Sequence, residues 1–465
     1  MLICNIGHGA GGDRSPQAAG YVGVGENQNL DECGIWCDRR CFNWGEYLVY
    51  MRSRSKSEAF AQRTAIITTT LCPNYKLKIV FQLTPGTEAP LEFNFYLPQY
   101  KALCMAENAT HTLHNIQTLR AALVRDARQW SRYLDESLTL FGTHANVVFA
   151  SHHWPTWGNS NLQEFLSNQR DLYAYLHNET LRLLNTGQTG IEIAETFKLP
   201  ASLDNLWSAR GYYGSISHNV KAIYHRYMGW FDGNPAHLWE HPPVEIAKRY
   251  VDCFGGISRT IDLGVKYAQE GDLRFASTLL SHAVFSDQTN RRAKTELASV
   301  FTILAYAAEN ATWRNFYLTG AKELLGEIAS KPNSLSTESL LALSVEQLID
   351  TLAIRIDGPR AAEAKFKIAI FIRDLDVGWG LTLGNSVLTH RGVPFVGEQE
   401  ARKEGLKATL QFWIAHRELV ELVAGVRRDL KGLSWVGDEG VWGVLVGLLT
   451  VPDGGFAIVT PEKDA

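Results

Sequence analysis

A chain of 465 residues with 45% hydrophobic and 20% charged residues has ordinary soluble composition and length for about three domains. Its net charge of −4 and pI near 6.4 exclude the strongly basic footprint of a nucleic-acid or anionic-membrane binder. The 13 Trp, 17 Tyr and 20 Phe supply large cores or the wall of a cleft for an apolar tail.

The opening, MLICNIGHGAGGDRS, has no basic region followed by an apolar core, so no secretory signal is expected and a cytoplasmic location is. Cys4, Cys72, Cys104 and Cys253 are scattered as small core residues or free thiols would be, which suits a reducing compartment. Residues 1–75 show no sustained period of 2 or 3.6 and read as irregular. Within them, Cys33, Cys37 and Cys41 have helix-face spacing, but no fourth ligand pairs with them and no metal site is expected.

From residue 76 the character changes. KLKIVFQL and EFNFYL read as strands around the turn TPGTEAP, Thr112–Leu140 has helical spacing, and NVVFAS reads as a buried strand. Strand, strand, helix, strand implies an αβ layer over 76–160. From 161 to 330 the pattern is helical, with candidates at 161–186, 208–228, 243–255, 259–271, 273–287, 291–310 and 313–329. The last four resemble stacked helical hairpins, without a clean 34-residue repeat. KPNSLSTES is a linker. Residues 335–465 read as a separate α+β domain: SLLALSVEQLIDTLAIRI as a helix running into a strand, FKIAIFIRD, GWGLTLGNSVLTHRG and KATLQFWIA as strands, a helix at 416–430, and GGFAIVTP as a closing segment. The apolar run Gly443–Val451 is too short to span a bilayer.

Three long motifs carry the chemistry. They are FQLTPGTEAPLEFNFYLP running on to ALCMAENATHTLHNIQTLRAALVRDARQW, then FASHHWPTWGN, then RGYYGSISHNVKAIYHRYMGWFDGNPAHLWEHPP. Over roughly 76–465 the chain resembles the alkyl sulfatases of the metallo-β-lactamase superfamily. The resemblance implies an α+β multidomain fold: a partial metallo-β-lactamase αβ layer, a helical dimerisation domain and a sterol-carrier-like C-terminal domain. It also implies hydrolysis of linear alkyl sulfate esters, such as dodecyl sulfate, to alcohol and sulfate at a two-zinc site, in a homodimer.

Carboxylates can bridge two cations and a neutral imidazole is a good zinc ligand. The resemblance places Glu88 on one zinc, Glu107 between both and His152 on the second. It places Asn115 and Arg120 against the sulfate; a guanidinium fork matches sulfate oxygens. It suggests His218 for the pocket. Tyr212 and Tyr213 line it or pack in the core, and Trp154, Trp157, Trp230 and Phe231 either wall an alkyl chain or belong to the core. The family hallmark HxHxDH is found around none of the 14 histidines. The nearest pattern, His111-x-x-His114, is expected one turn apart on a helix, making hydrogen bonds at the helix start. The ligand set is therefore incomplete, and segment 26–75 points to a truncated or mispredicted gene model. Two other readings remain: a non-catalytic dimeric scaffold or lipid-binding protein, and a different anionic ester, such as a phosphate ester, as substrate.

Overall fold

A computed structural model describes residues 48–50, 64–72, 75–89, 92–120, 122–328, 340–404, 408–451 and 457–461. Cys33, Cys37 and Cys41 lie outside them. The chain divides into two units, one running to residue 330 and regaining the tail from 456, the other holding 331–455.

The first unit begins with a seven-stranded sheet in sequential order: β1 Leu48–Tyr50, β2 Thr64–Cys72, β3 Tyr75–Leu83, β4 Phe93–Leu97, β5 Ala102–Cys104, β6 Val147–Ala150 and β7 His153–Trp157. All neighbours are antiparallel except β5 and β6. That parallel pair needs a crossover, and residues 105–146 provide it. β1 and β2 revise the reading of residues 1–75 as wholly irregular. Thr64–Cys72 mixes Thr with Ile and pairs with β3 along its length. The short strands β5 and β7 were also missed.

The expected helix over Thr112–Leu140 is confined to Ala127–Ser137, followed by a π turn at Leu138–Gly142. Residues 111–120 and 122–126 are irregular because their backbone groups bond elsewhere. Leu113 N–H donates to the Arg210 carbonyl (2.9 Å), His114 N–H to the Tyr173 hydroxyl (3.2 Å) and Ile116 N–H to Asn219 Oδ1 (2.9 Å). Leu113 and Ile116 are buried, while Leu119 and Leu123, on the same expected face, are exposed. The helix starts where Asp126 caps it by accepting from Gln129 N–H. His111 and His114 therefore do not share a helix.

Asn159–Leu184 packs on Ala127–Ser137, with Trp130 and Tyr173 stacked at 4.8 Å between ring centroids. Leu103, Met105, Leu134, Leu162 and Leu166 complete that core. Two short helices, Gly190–Thr196 and Ala201–Asp204, went unforeseen. The expected helix at 208–228 is only Ile216–Met228, after a loop that runs along the sheet unit. Pro243–Cys253, Ile257–Gln269, Leu273–Ser286, Arg291–Ala307 and Ala311–Leu324 follow. Asp272, Asn290 and Asn310 cap the last three, each accepting an N–H three residues on. The tail expected to close the C-terminal domain sits here instead. Ile458 and Val459 N–H donate to Glu323 Oε1 (2.8 and 2.9 Å), and Val459 joins the helical core.

The second unit is a five-stranded sheet in the order β10-β9-β8-β11-β12, with β8 Phe366–Ile372, β9 Val377–Gly384, β10 Val387–Val393, β11 Leu410–Ile414 and β12 Ser434–Gly437. β8 and β11 are parallel and the other pairs antiparallel. Helices Val345–Ala353, His416–Ala424 and Gly440–Gly447 accompany it, around Ile370, Phe412 and Trp442. No strand follows Val345–Ala353. That stretch makes a single bridge, Ile356 to Leu449. Among the described residues no helix is long and apolar enough to cross a membrane.

Candidate active site

Three loops meet at one end of the first sheet. β3 leads into the turn carrying Glu88, β4 begins just after Glu92, β5 ends just before Glu107, and β6 ends just before His152. The antiparallel β3–β4 and β4–β5 pairs and the parallel β5–β6 pair put all these ends on the same side. Carboxylate oxygens of Glu88, Glu92 and Glu107 lie within 4.8 Å of one another. His152 Nε2 is 3.0 Å from Glu107 Oε1.

Local sequence sets these positions. Thr84 N–H donates to the Glu92 carbonyl (2.8 Å) and the Thr87 hydroxyl to the Thr84 carbonyl (2.7 Å), closing the Glu88 loop. Gly86 has φ +81°, a conformation glycine adopts without strain. Ala106, beside Glu107, has φ +46° without being glycine. Such backbone persists only where its surroundings hold it. Here Ser151 N–H donates to the Ala106 carbonyl (3.0 Å), tying the Glu107 turn to the His152 turn.

Beneath the cluster lies a chain of buried amides. Asn108 Nδ2 donates to Thr84 Oγ1 (3.0 Å) and Asn94 Oδ1 (2.8 Å), and Asn94 Nδ2 donates to Gln82 Oε1 (3.1 Å) and Ser137 Oγ (3.1 Å). Gln82 Nε2 donates to Glu136 Oε2 (3.0 Å). Networks paired in this way rigidify what they join.

Glu92 is the buried member. Burial first, then the charges of Glu107 and Glu88, push its carboxyl up to about 8, against a backbone hydrogen bond from Glu107. It is protonated at neutral pH, which relieves repulsion among the three acids. Arg125 supplies the positive charge. Its Nη2 pairs with Glu88 Oε1 and its Nε donates to the Glu88 carbonyl (2.9 Å). Neither Glu92 nor Arg125 emerged from sequence reasoning. Glu92 stands four residues after Glu88 at the mouth of a strand, and Arg125 immediately before a capping Asp; those positions were the only available signals.

The three residues expected on the substrate side are placed differently from one another. Asn115 is fully buried; its Oδ1 accepts from Arg125 Nη1 and from Thr118 Oγ1 (3.3 Å), and its Nδ2 faces the Tyr213 carbonyl at 3.4 Å. His218 is buried too. Its Nδ1 accepts from Trp313 Nε1 (2.9 Å), so its Nε2 carries the proton and donates to the Gln117 carbonyl (2.6 Å). Burial lowers the His218 pKa, keeping the ring neutral. Both residues brace the 115–120 turn rather than line an open pocket. Arg120, at the end of that turn, is half-buried. A Cβ on Gly214 would lie 2.9 Å from the His114 carbonyl carbon and oxygen, so only glycine lets Tyr213–Ser215 approach this closely. Trp154, Trp157 and Trp230 are exposed. His111 packs face to face on Phe165 at 4.6 Å and bonds Thr156 Oγ1 (2.9 Å).

Residues 189–327 match the family described as alkyl sulfatase dimerisation, and residues 333–461 match alkyl sulfatase C-terminal. A linear primary-alkylsulfatase from Pseudomonas sp. is 41% identical, the match covering 82% of this chain and 56% of that protein. Another, from a different Pseudomonas strain, is 31% identical over 80% of this chain and 70% of its own length. The chain belongs to the alkylsulfatase family. The solved stereoselective inverting sec-alkylsulfatase Pisa1 from Pseudomonas sp. superposes with a TM-score of 0.79 at 37% identity, covering 85% of this chain and 62% of that one. An alkylsulfatase chain of this length spans about half of the curated relatives it matches, 56%, 48% and 58% of three of them.

The Glu88 and Glu107 carboxylates and the His152 imidazole are hard oxygen and borderline nitrogen donors, a set that suits zinc, with Glu92 beside them. The carboxylate oxygens of Glu88, Glu92 and Glu107 already converge to within 4.8 Å of one another. The residues present therefore fit a divalent cation.

Proposed function

We propose that this chain hydrolyses linear alkyl sulfate esters, such as dodecyl sulfate, to the alcohol and sulfate, with zinc held in a metallo-β-lactamase-type site. The observation that carries this reading is the meeting of Glu88, Glu92 and Glu107 within 4.8 Å, with His152 on Glu107. Its relatives, a linear primary-alkylsulfatase and an (R)-specific secondary-alkylsulfatase, supply the substrate class.

Glu88, Glu107 and His152 would hold the cation, and Glu92 stands behind them. When bound, the cation supplies Lewis acidity toward the sulfate oxygens and makes water acidic enough to attack near neutral pH. Arg120 offers a planar, permanently charged fork to the sulfate. Asn115 and His218 keep the turn that presents it. The water oxygen bonds to the ester as its C–O or S–O bond breaks, and the products are the alcohol, sulfate and one proton released to solvent.

The dimerisation match and the exposed aromatics of the helical part, among them Trp207, Trp230, Trp239 and Tyr306, support a homodimer. One observation favours a second reading, a non-catalytic scaffold or lipid-binding protein: the sequence contains no HxHxDH. Zinc content of the purified chain, measured beside turnover of a linear alkyl sulfate, separates the two. Bound zinc with turnover supports the hydrolase, and neither supports the scaffold.

A further inference from the structure

We propose that Arg125 is a positioning residue that makes the cation-holding and anion-holding parts of the site one mechanical unit. The inference rests on the proposed function for its ligands and on geometry for its mechanics.

The Arg125 side chain is only 5% exposed. Its guanidinium bonds two separate stretches of chain. Toward the β3–β4 loop, Nη2 pairs with Glu88 Oε1 and Nε donates to the Glu88 carbonyl (2.9 Å). Toward the 114–118 turn, Nη1 donates to the Asn115 carbonyl (2.8 Å) and to Asn115 Oδ1, with His114 Nδ1 at 3.3 Å. Two backbone bonds run alongside: Arg125 N–H to the Ile116 carbonyl and Asp126 N–H to the Gly86 carbonyl, both 2.9 Å.

Three consequences follow. Arg125 holds Glu88 Oε1, so the other carboxylate oxygen is the one left for a cation. A guanidinium only donates, so the Asn115 atom facing it is the oxygen, and the amide orientation is thereby fixed. Finally, the turn that ends in Arg120 is registered against the Glu88 loop by a planar fork, which a flexible point charge cannot imitate. Residues behind a metal ligand commonly tune affinity about 10- to 100-fold.

The test uses the full chain and three variants, Arg125→Met, Arg125→Lys and Asn115→Leu. Zinc alone is titrated by equilibrium dialysis, inorganic sulfate by calorimetry, and hydrogen exchange is followed in peptides spanning 84–89 and 113–120. Arg125→Met should weaken zinc and sulfate together, each about 10- to 100-fold, and speed exchange in both peptides. Arg125→Lys keeps a charge for Glu88 but cannot also reach Asn115, so it should recover zinc binding and not sulfate binding. Asn115→Leu should weaken sulfate and leave zinc unchanged. Zinc affinity unmoved by Arg125→Met, or sulfate affinity restored by Arg125→Lys, overturns the proposal. Wild-type protein that takes up neither ion overturns the proposed function and the ligand half of this inference. Exchange then decides the mechanical half: a rise in both peptides sustains it, and a rise in one or neither refutes it.

Discussion

Glu92 and His114 both feel the Arg125 charge and respond to pH in opposite senses. The Glu92 carboxyl is raised from 4.5 to about 8, so the folded state holds a proton that the unfolded state releases. Its contribution to stability is full below about 4.5 and is lost as pH climbs through 8. His114 is lowered from 6.5 to about 3, by burial first and Arg125 second, so its contribution is full above 6.5 and is lost as pH falls toward 3. Between pH 6.5 and 8 only the Glu92 effect remains of the two. Chelator-treated protein should therefore melt at a lower temperature at pH 8 than at pH 6.5, and Glu92→Gln should flatten that slope. Glu92→Gln protein with an unchanged slope would show that another group titrates there. The site was half legible at this scale. Glu88, Glu107 and His152 stand in long motifs, whereas Glu92 and Arg125 derive their importance from burial and from a partner 37 residues away in the Arg125–Glu88 contact, which spacing alone does not reveal.

At the scale of elements, the segment from His111 to Asp126 forms the turn that carries Arg120, the proposed sulfate contact. Its apolar spacing imitates a helix, yet Asn115 and Thr118 bond locally and the backbone donors go to Arg210, Tyr173 and Asn219. Tertiary partners outweigh a weak helical preference there. Gly214 makes the arrangement possible. Gly214→Ala should push Tyr213 off His114, lowering both the melting temperature and sulfate affinity while leaving strands β3 to β6 protected from exchange. Unaltered sulfate affinity would separate the two loops functionally. By contrast Asn290→Ala, which removes the cap on Arg291–Ala307, should cost about 1 kcal/mol in chemical denaturation and leave sulfate affinity unchanged. Strands such as KLKIVFQL and LQFWI were readable because they are rich in apolar residues, and LQFWI is buried throughout. Thr64–Cys72 was not, since threonine-rich strands lack alternation, and the two short helices after residue 189 are too brief to show a period.

For the whole molecule, the chain falls into two units, and its last described residues return to the helices through Glu323. Trp239 is 96% exposed and Trp230 73%, a surface that a second copy would cover. Sedimentation at micromolar concentration should give about twice the 51.9 kDa chain mass, and Trp239→Glu should shift the balance toward monomer. A monomeric wild type would remove the dimer from the account. The central claim is that Glu88, Glu107 and His152, without HxHxDH, form a zinc-dependent sulfate-ester site. It is tested most directly by loading the purified chain with zinc, counting bound metal by elemental analysis, and following alcohol release from a linear alkyl sulfate below its micellar concentration. At least one zinc per chain, with turnover abolished by Glu107→Gln, is the predicted result; a chain that retains no zinc and releases no alcohol would contradict it.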